Sequence, residues 1–113
     1  RICLCSNTWA DQCKTVLGRL GVLDCFEFIV EAKGAQHKSS PEVFFECMSR
    51  LGGTDPEECA VCEDAVYAAS TAHKAGFYVV GVADRTSAAD EPEMRRICSQ
   101  FIPDWTALDW SRV

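Results

Sequence analysis

The feature that most constrains the fold is an apolar run ending in two carboxylates, Ala60-Val61-Cys62-Glu63-Asp64, that opens directly into a small-residue stretch, Ala65-Val66-Tyr67-Ala68-Ala69-Ser70-Thr71-Ala72-His73-Lys74-Ala75-Gly76. The run has the length of a strand, and the stretch after it has the composition of a helix that Gly76 stops. Phe77-Tyr78-Val79-Val80-Gly81-Val82 then supplies a second strand. Strand, helix and strand in this order make a βαβ unit, whose strands run parallel. An open parallel sheet binds its ligands beyond the carboxyl ends of its strands, so Glu63 and Asp64 stand where such a sheet keeps its chemistry. Paired acids at that place suit a hard cation, Mg2+ first of all, which takes one or two carboxylates together with water and phosphate oxygens. The competing assignment gives Asp64 only the task of capping the helix that follows.

The same alternation runs through the rest of the chain. Ile2-Cys3-Leu4-Cys5 is a short apolar strand that breaks at Ser6-Asn7-Thr8. A helix is predicted from Thr8, with Asp11 completing an approximate capping box, Cys13, Val16, Leu17 and Leu20 as its buried stripe, and Gly21 as its stop. Phe26, Phe28, Ile29 and Val30 supply a second strand, and Lys33-Gly34-Ala35-Gln36-His37-Lys38-Ser39 a polar loop. The next helix is expected to be capped by Ser40, with Pro41 in its first position, where a missing N–H costs nothing. Phe44, Cys47, Met48 and Leu51 are its predicted inner face and Gly52 its stop. Residues 54–58 read as a turn and residues 83–89 as a loop. Asp90-Glu91-Pro92-Glu93 is an acidic helix start suited to the positive end of the helix dipole, with Met94, Ile97, Cys98 and Phe101 facing inward. Phe101-Ile102 is a last short strand, and residues 106–110 a terminal helical turn. The fold class expected is α/β: a three-layer, Rossmann-like arrangement with a mostly parallel sheet and right-handed crossovers, residues 1–113 belonging to a single domain.

Composition narrows the function classes. With 113 residues, 48% hydrophobic and 25% charged, the chain can bury a core. A net charge of -6 and a pI near 4.8 argue against a nucleic-acid partner, because the eleven basic residues are scattered rather than gathered into a patch. No run approaches the roughly 20 apolar residues of a membrane span, so no membrane partner is expected. The eight cysteines fall mostly within apolar strand runs (Cys3, Cys5, Cys62) or on predicted inner helix faces (Cys13, Cys47, Cys98). They read as buried thiols of a protein kept in a reducing compartment, the cytoplasm, and not as a disulfide framework. Cys59 and Cys62 have a spacing that also serves zinc and redox sites, but along a strand residues three apart face opposite sides. His37 is read as a loop residue, His73 as a surface helix residue, and Trp9, Trp105 and Trp110 as packing residues.

Three polar groups follow apolar strands: Ser6-Asn7-Thr8, His37-Lys38 and Glu63-Asp64. With right-handed crossovers they converge on one sheet edge, and each suits a phosphoryl group. A hydroxyl and an amide ahead of a helix can donate to phosphate oxygens, Lys38 is a compact positive charge, and the acidic pair can hold a metal. This ordered set resembles the haloacid dehalogenase (HAD) superfamily, and within it the β-phosphoglucomutase and phosphoglycolate-phosphatase-like branch. Ile-Cys-Leu-Cys-Ser6-Asn7 resembles the family's strand ending in Ser or Thr. Lys38-Ser-Ser-Pro41-Glu42-Val-Phe resembles its lysine motif, and Glu63-Asp64 with Ala75-Gly76-Phe77 and Val80-Gly81-Val82 its acidic motif and trailing strand. Ala65 stands where many members have Ser, and Ala68 where many have Gly. Ser6-Asn7 is also similar to the dehalogenases proper, but those lack the Glu-Asp pair because they need no metal.

The resemblance implies a Mg2+-dependent phosphatase or phosphomutase acting on a small phosphorylated metabolite such as a sugar phosphate. It implies Asp64 as metal ligand with Glu63 in support, Ser6 and Asn7 as phosphate donors, and Lys38 as the cation joining phosphate and nucleophile. The family's first motif, Asp-x-Asp, carries the nucleophile that becomes an aspartyl-phosphate, and it does not occur in these 113 residues. The expectation is therefore a C-terminal core piece lacking the nucleophile strand and cap, starting at Arg1 where the natural protein continues upstream, and inactive alone. The strands of Ile2 and Ala60, both expected to be buried on both faces, would then either pair with each other or leave open edges. Two rivals belong to other classes: a non-catalytic HAD-like binding or regulatory module, and a receiver-like signalling domain, which needs an acidic pair where Ser6-Asn7 stands.

Overall fold

The computed structural model describes residues 1–34 and 37–113, so the Ala35-Gln36 part of the predicted polar loop lies outside the described residues. The chain divides into two compact units, residues 1–54 and 55–113.

In the first unit, β1 (Leu4–Ser6), α1 (Ala10–Arg19), a 3-10 turn (Leu23–Cys25), β2 (Ile29–Glu31) and α2 (Glu42–Arg50) follow one another. β1 and β2 pair in parallel, with Leu4 opposite Ile29, Cys5 opposite Val30 and Ser6 opposite Glu31. Ser6 is thus the last rung of the ladder and not the first residue beyond it. Cys13, Val30, Ala32, Val43, Phe44 and Cys47 are buried. α2 keeps Phe44 and Cys47 inside as expected, but Val43 joins them, while Met48 and Leu51 are only half-buried. Pro41 takes the cap position itself, its carbonyl accepting from Phe44 and Phe45 at 3.0 and 3.1 Å, so Ser40 sits one residue outside the predicted role.

α1 departs further from its sequence pattern. It begins at Ala10, not Thr8, and Trp9 holds the cap position without a side-chain hydrogen bond. The Ala10 N–H instead donates to Glu31 Oε1 at 2.7 Å, so β2 supplies from across the ladder the acceptor that a local capping box would have supplied. Only Cys13 of the predicted stripe is buried; Val16 and Leu20 are 52% and 68% exposed. α1 packs on β2 and on the short Leu23–Cys25 turn, and neighbours that short cover one helical turn rather than three. Its end follows the sequence: Gly21, at φ 71°, donates to the Gly18 carbonyl at 3.0 Å while Val22 reaches back to Leu17 at 3.0 Å, the paired bonds of a left-handed glycine stop.

In the second unit, a 3-10 turn (Pro56–Glu58) capped by Asp55 leads into β3 (Ala60–Glu63), α3 (Val66–Lys74) and β4 (Tyr78–Val82). A longer 3-10 turn (Arg85–Asp90), α4 (Glu91–Ile97), β5 (Gln100–Ile102) and two terminal 3-10 turns (Trp105–Ala107, Trp110–Arg112) complete it. The sheet order is β3-β4-β5, all parallel, with Glu63 opposite Gly81 and Val82 opposite Ile102. Ala68, Ala69 and Ala72 are fully buried, because three methyl side chains on one face let α3 lie close on the sheet, and Phe77, Val79 and Val80 are buried in the same unit. From the other helix come Met94 and Ile97. Gln100, buried in β5, binds the backbone of Asp109 with both ends of its amide (2.9 and 3.0 Å) and the Tyr78 hydroxyl at 2.9 Å, which secures the C-terminal segment.

Several sequence expectations fail on exposure. β3 is the edge strand of its sheet, and Ala60 and Cys62 are exposed where burial on both faces was expected. β1, in its own two-stranded sheet, is half-buried throughout for the same reason. Cys62 and Cys25 are exposed thiols, Cys13 and Cys47 are buried, and the other four are half-buried; no disulfide joins any of these described cysteines. Trp9, Trp105 and Trp110 are 60%, 58% and 76% exposed and do not pack in a core. Trp9 instead carries the Lys33 ammonium 3.0 Å above its ring. No described helix is long and apolar enough to cross a membrane.

Two glycines with ordinary backbone angles separate packing from chain entropy. A Cβ on Gly81 would meet Cys98 Sγ at 2.7 Å, Phe101 at 2.8 Å and Met94 at 3.1 Å, whereas one on Gly18 would meet nothing within 4 Å. Gly81→Ala is expected to destabilise the fold by roughly 1–3 kcal/mol through overpacking. Gly18→Ala is expected to stabilise it by about 0.5–1 kcal/mol by restricting the unfolded chain. Urea denaturation of both variants checks the pair of signs. Removing the cross-ladder cap by Glu31→Ala is expected to cost about 0.5–2 kcal/mol, with Glu31→Gln, which keeps an acceptor oxygen, losing less; the same denaturation series reads this.

Candidate functional site

In the second unit the parallel register brings the carboxyl ends of β3, β4 and β5 to one edge. Asp64 is the first residue past β3. The residue at the cap position of α3 is Ala65, in an extended conformation, and α3 has no side-chain cap hydrogen bond. Asp64 therefore does not do the capping that competed with metal binding for it. It is exposed and lines a cleft of about 350 Å³ whose wall includes Val82, Ala83, Asp84 and Arg85 and whose apolar side is formed by Met94 and Phe101. Glu63, one residue earlier and on the alternate side of the strand, is buried with 7% exposure. The pair is split by the pleat into one inward and one outward carboxylate.

Asp84, in a segment expected to be loop, lines the same cleft. Its signal was the one used for Asp64: an acid just past an apolar strand, here Val82-Ala83-Asp84. Its carboxylate accepts from the Thr86 hydroxyl and, at 2.7 Å, from the Thr86 backbone N–H. Those two donors, the hydroxyl foremost, hold the Asp84 carboxyl below the usual carboxylate range against a small opposing effect of burial. Asp84 is thus a charged cap of the Arg85–Asp90 turn, and its negative charge faces the same cleft as Asp64. Oxygen donors of this kind fit a hard divalent cation. Among the described residues no group of three or more His, Cys, Asp or Glu side chains is arranged to hold a metal by itself. The carboxylates can offer one or two ligands, the number Mg2+ ordinarily takes from protein before water and phosphate complete its shell. Cys59 lies just before β3 and Cys62 within it.

In the first unit, Ser6 ends β1 and its hydroxyl oxygen accepts from the Thr8 N–H at 3.0 Å, which folds Asn7 and Thr8 into the bend before α1. Asn7 is exposed there and Ser6 half-buried. Lys38 lies in the turn before α2, also half-buried. That turn is organised by His37: its carbonyl accepts from Ser40 at 2.9 Å, and its Nδ1 accepts from the Ser39 N–H at 3.2 Å and contacts the Ser39 hydroxyl at 3.0 Å. His37 is therefore an exposed loop residue, as expected, that shapes the segment holding Lys38. His73 is exposed on α3, also as expected. Ser6 and Asn7 thus lie at the carboxyl end of one parallel ladder with Lys38 on the segment that follows its second strand, and Glu63 and Asp64 at the carboxyl end of the other.

Comparison with known proteins bears on this arrangement. Over 70 residues the chain is 34% identical to fructose-1-phosphate phosphatase YqaB of Escherichia coli (strain K12), a match covering 61% of this chain and 37% of that one. Its structure resembles a β-phosphoglucomutase from Clostridium difficile with a TM-score of 0.67 and 26% identity, covering 86% of this chain and 40% of that one. The chain thus spans well under half the length of either protein, and its fold is the Rossmann-like α/β fold with parallel strands that the second of them has. The profile of the family described as haloacid dehalogenase-like hydrolase matches residues 1–82, which include Ser6, Lys38, Glu63 and Asp64. The chain belongs to the haloacid dehalogenase-like hydrolases, and to their β-phosphoglucomutase-like branch.

Proposed function

We propose that the protein containing this chain transfers a phosphoryl group from a small phosphorylated metabolite, a sugar phosphate, to an Asp of its own and then to water or to a second position on the sugar. The observation that carries this reading is Asp64: an exposed carboxylate at the carboxyl end of a parallel strand, on the lip of a cleft, with no part in capping the helix behind it. The names of the two relatives, a sugar-phosphate phosphatase and a sugar phosphomutase, support the substrate class.

In this reading Asp64 ligates Mg2+, and buried Glu63 supports it from inside the strand. When bound, the ion supplies charge neutralisation for the phosphoryl oxygens. Ser6 and Asn7 donate to the phosphate from the bend ahead of α1. Lys38 places a positive charge between phosphate and nucleophile, which keeps two negative groups close enough for in-line attack. The nucleophilic Asp and its partner acid belong to a segment of the same protein outside these 113 residues. The edge position of β3, with Ala60 and Cys62 exposed, supports a further strand of that protein pairing there. Six of the eight cysteines being buried or half-buried as small apolar thiols supports a reducing compartment, the cytoplasm.

In the complete protein, Asp64→Asn and Lys38→Ala are each expected to lower turnover of a sugar phosphate in the presence of Mg2+ by about 100-fold or more, the scale of losing one charged group from a preorganised site. Steady-state assays on folded variants check this. Wild-type kcat in Asp64→Asn would remove Asp64 from the metal site, and wild-type kcat in Lys38→Ala would remove Lys38 from the phosphate.

A further inference from the structure

Three of the eight cysteines meet in the first unit. Cys3 and Cys5 are two residues apart on the strand that becomes β1, so their side chains share a face. The extended pairing begins before Leu4, since the Glu27 N–H donates to the Ile2 carbonyl at 2.9 Å and the Leu4 N–H to Phe28 at 3.1 Å. α2 packs on β1 and brings the buried Cys47 thiol into the neighbourhood of the Cys3 and Cys5 thiols, close enough to shift their acidity. Cys47 is buried, while Cys3 and Cys5 are half-buried and open to a small solute. We propose that Cys3, Cys5 and Cys47 form an oxidation site, in which a peroxide joins Cys47 to one of the two strand thiols and so ties β1 reversibly to α2.

The chemistry balances with hydrogen peroxide as oxidant. A strand thiolate attacks one peroxide oxygen, the O–O bond breaks, and a sulfenic acid and water result once the leaving hydroxide takes a proton. The Cys47 sulfur then attacks the sulfenic sulfur, an S–S bond forms, and the hydroxyl leaves as water with the Cys47 proton. Two thiols and one peroxide give one disulfide and two waters. Cys3 is the better first nucleophile. The neighbouring Cys47 thiol and the positive charge of the Arg50 guanidinium together draw its thiol below the ordinary range against desolvation and Glu27. The proton stays with Cys47, whose thiol is driven upward by the neighbouring Cys3 sulfur first, then by that of Cys5, and by burial.

The consequence for the site follows from position. Cys5 directly precedes Ser6, and α2 follows the turn that holds Lys38. Drawing two neighbouring sulfurs to a bond of about 2.05 Å moves β1 toward α2. A displacement of about 1 Å in a positioning group can cost on the order of 100-fold in rate. This consequence rests on the function proposed above; the crosslink does not.

The complete protein, reduced and then treated with a few equivalents of hydrogen peroxide, should lose about 2 Da per crosslink in intact mass. Proteolysis should link the 39–50 peptide, through Cys47, to Cys3 or Cys5, and dithiothreitol should separate them. Cys3→Ser and Cys5→Ser should each still form the link through the remaining strand thiol, and the double variant should not. Cys13→Ser should form it as wild type does. Cys47 remaining a free thiol after treatment, or found joined to any other cysteine, would overturn the proposal. Where the reduced protein turns over a sugar phosphate, the crosslinked form should be at least tenfold slower and recover with dithiothreitol. A fully crosslinked protein with unchanged turnover would overturn the link to the site, whereas a reduced protein without turnover would count against the proposed function and leave the mapping to decide the crosslink.

Discussion

Everything functional in this chain depends on the parallel direction of its strands. Because β3, β4 and β5 run the same way, with Glu63 beside Gly81 and Val82 beside Ile102, residues that leave the three strands emerge at one edge. That direction, and no special affinity between the side chains, puts Asp64 and Asp84 on one cleft although they stand 20 positions apart in the sequence. A reversed β4 would carry Asp84 to the opposite edge. Parallel pairing in turn requires a crossover, and α3 can provide it closely packed because Ala68, Ala69 and Ala72 present only methyl groups from its buried face.

The first unit uses the same geometry for different work. The ladder of β1 and β2 sets Ser6 beside Glu31, and the two residues divide the task of starting α1. Ser6 turns the chain by accepting from Thr8, and Glu31 accepts from Ala10 at the first helical position. A serine engaged in this way is held in place at the strand tip, which is what a phosphate donor needs, and the bend exposes Asn7 beside it. The carboxylate of Glu31 is engaged with the helix backbone.

The alternation of elements was legible in the sequence because apolar runs and glycine stops are local signals. Gly21 ends α1 and Gly52 ends α2 in the left-handed conformation that their positions predicted. Ser6 and the Glu63-Asp64 pair stand out in the sequence because they directly close such runs. What stayed hidden depends on partners that no local pattern names. Thr8 and Asp11 form a plausible capping box, yet the acceptor comes from Glu31, 21 residues on, because the ladder places it there. Val16 and Leu20 have helical spacing but are exposed, since periodicity states which face is apolar and not whether anything covers it. Trp9, Trp105 and Trp110 were assigned to packing on hydrophobicity alone, and all three face solvent. Asp84 was missed although its signal was the same as that of Asp64, because the acid is single and the segment after it is a 3-10 turn rather than a helix.

The central claim is that the outward carboxylate at the tip of β3 is there to hold a divalent cation. Titrating Mg2+ into the isotopically labelled complete protein and following backbone amide resonances tests this apart from any substrate. The account predicts saturable shifts centred on Asp64 and Ala65, extending to Asp84, and abolished in Asp64→Asn. Saturating Mg2+ that leaves these amides unmoved, or moves them equally in the Asp64→Asn protein, would contradict it.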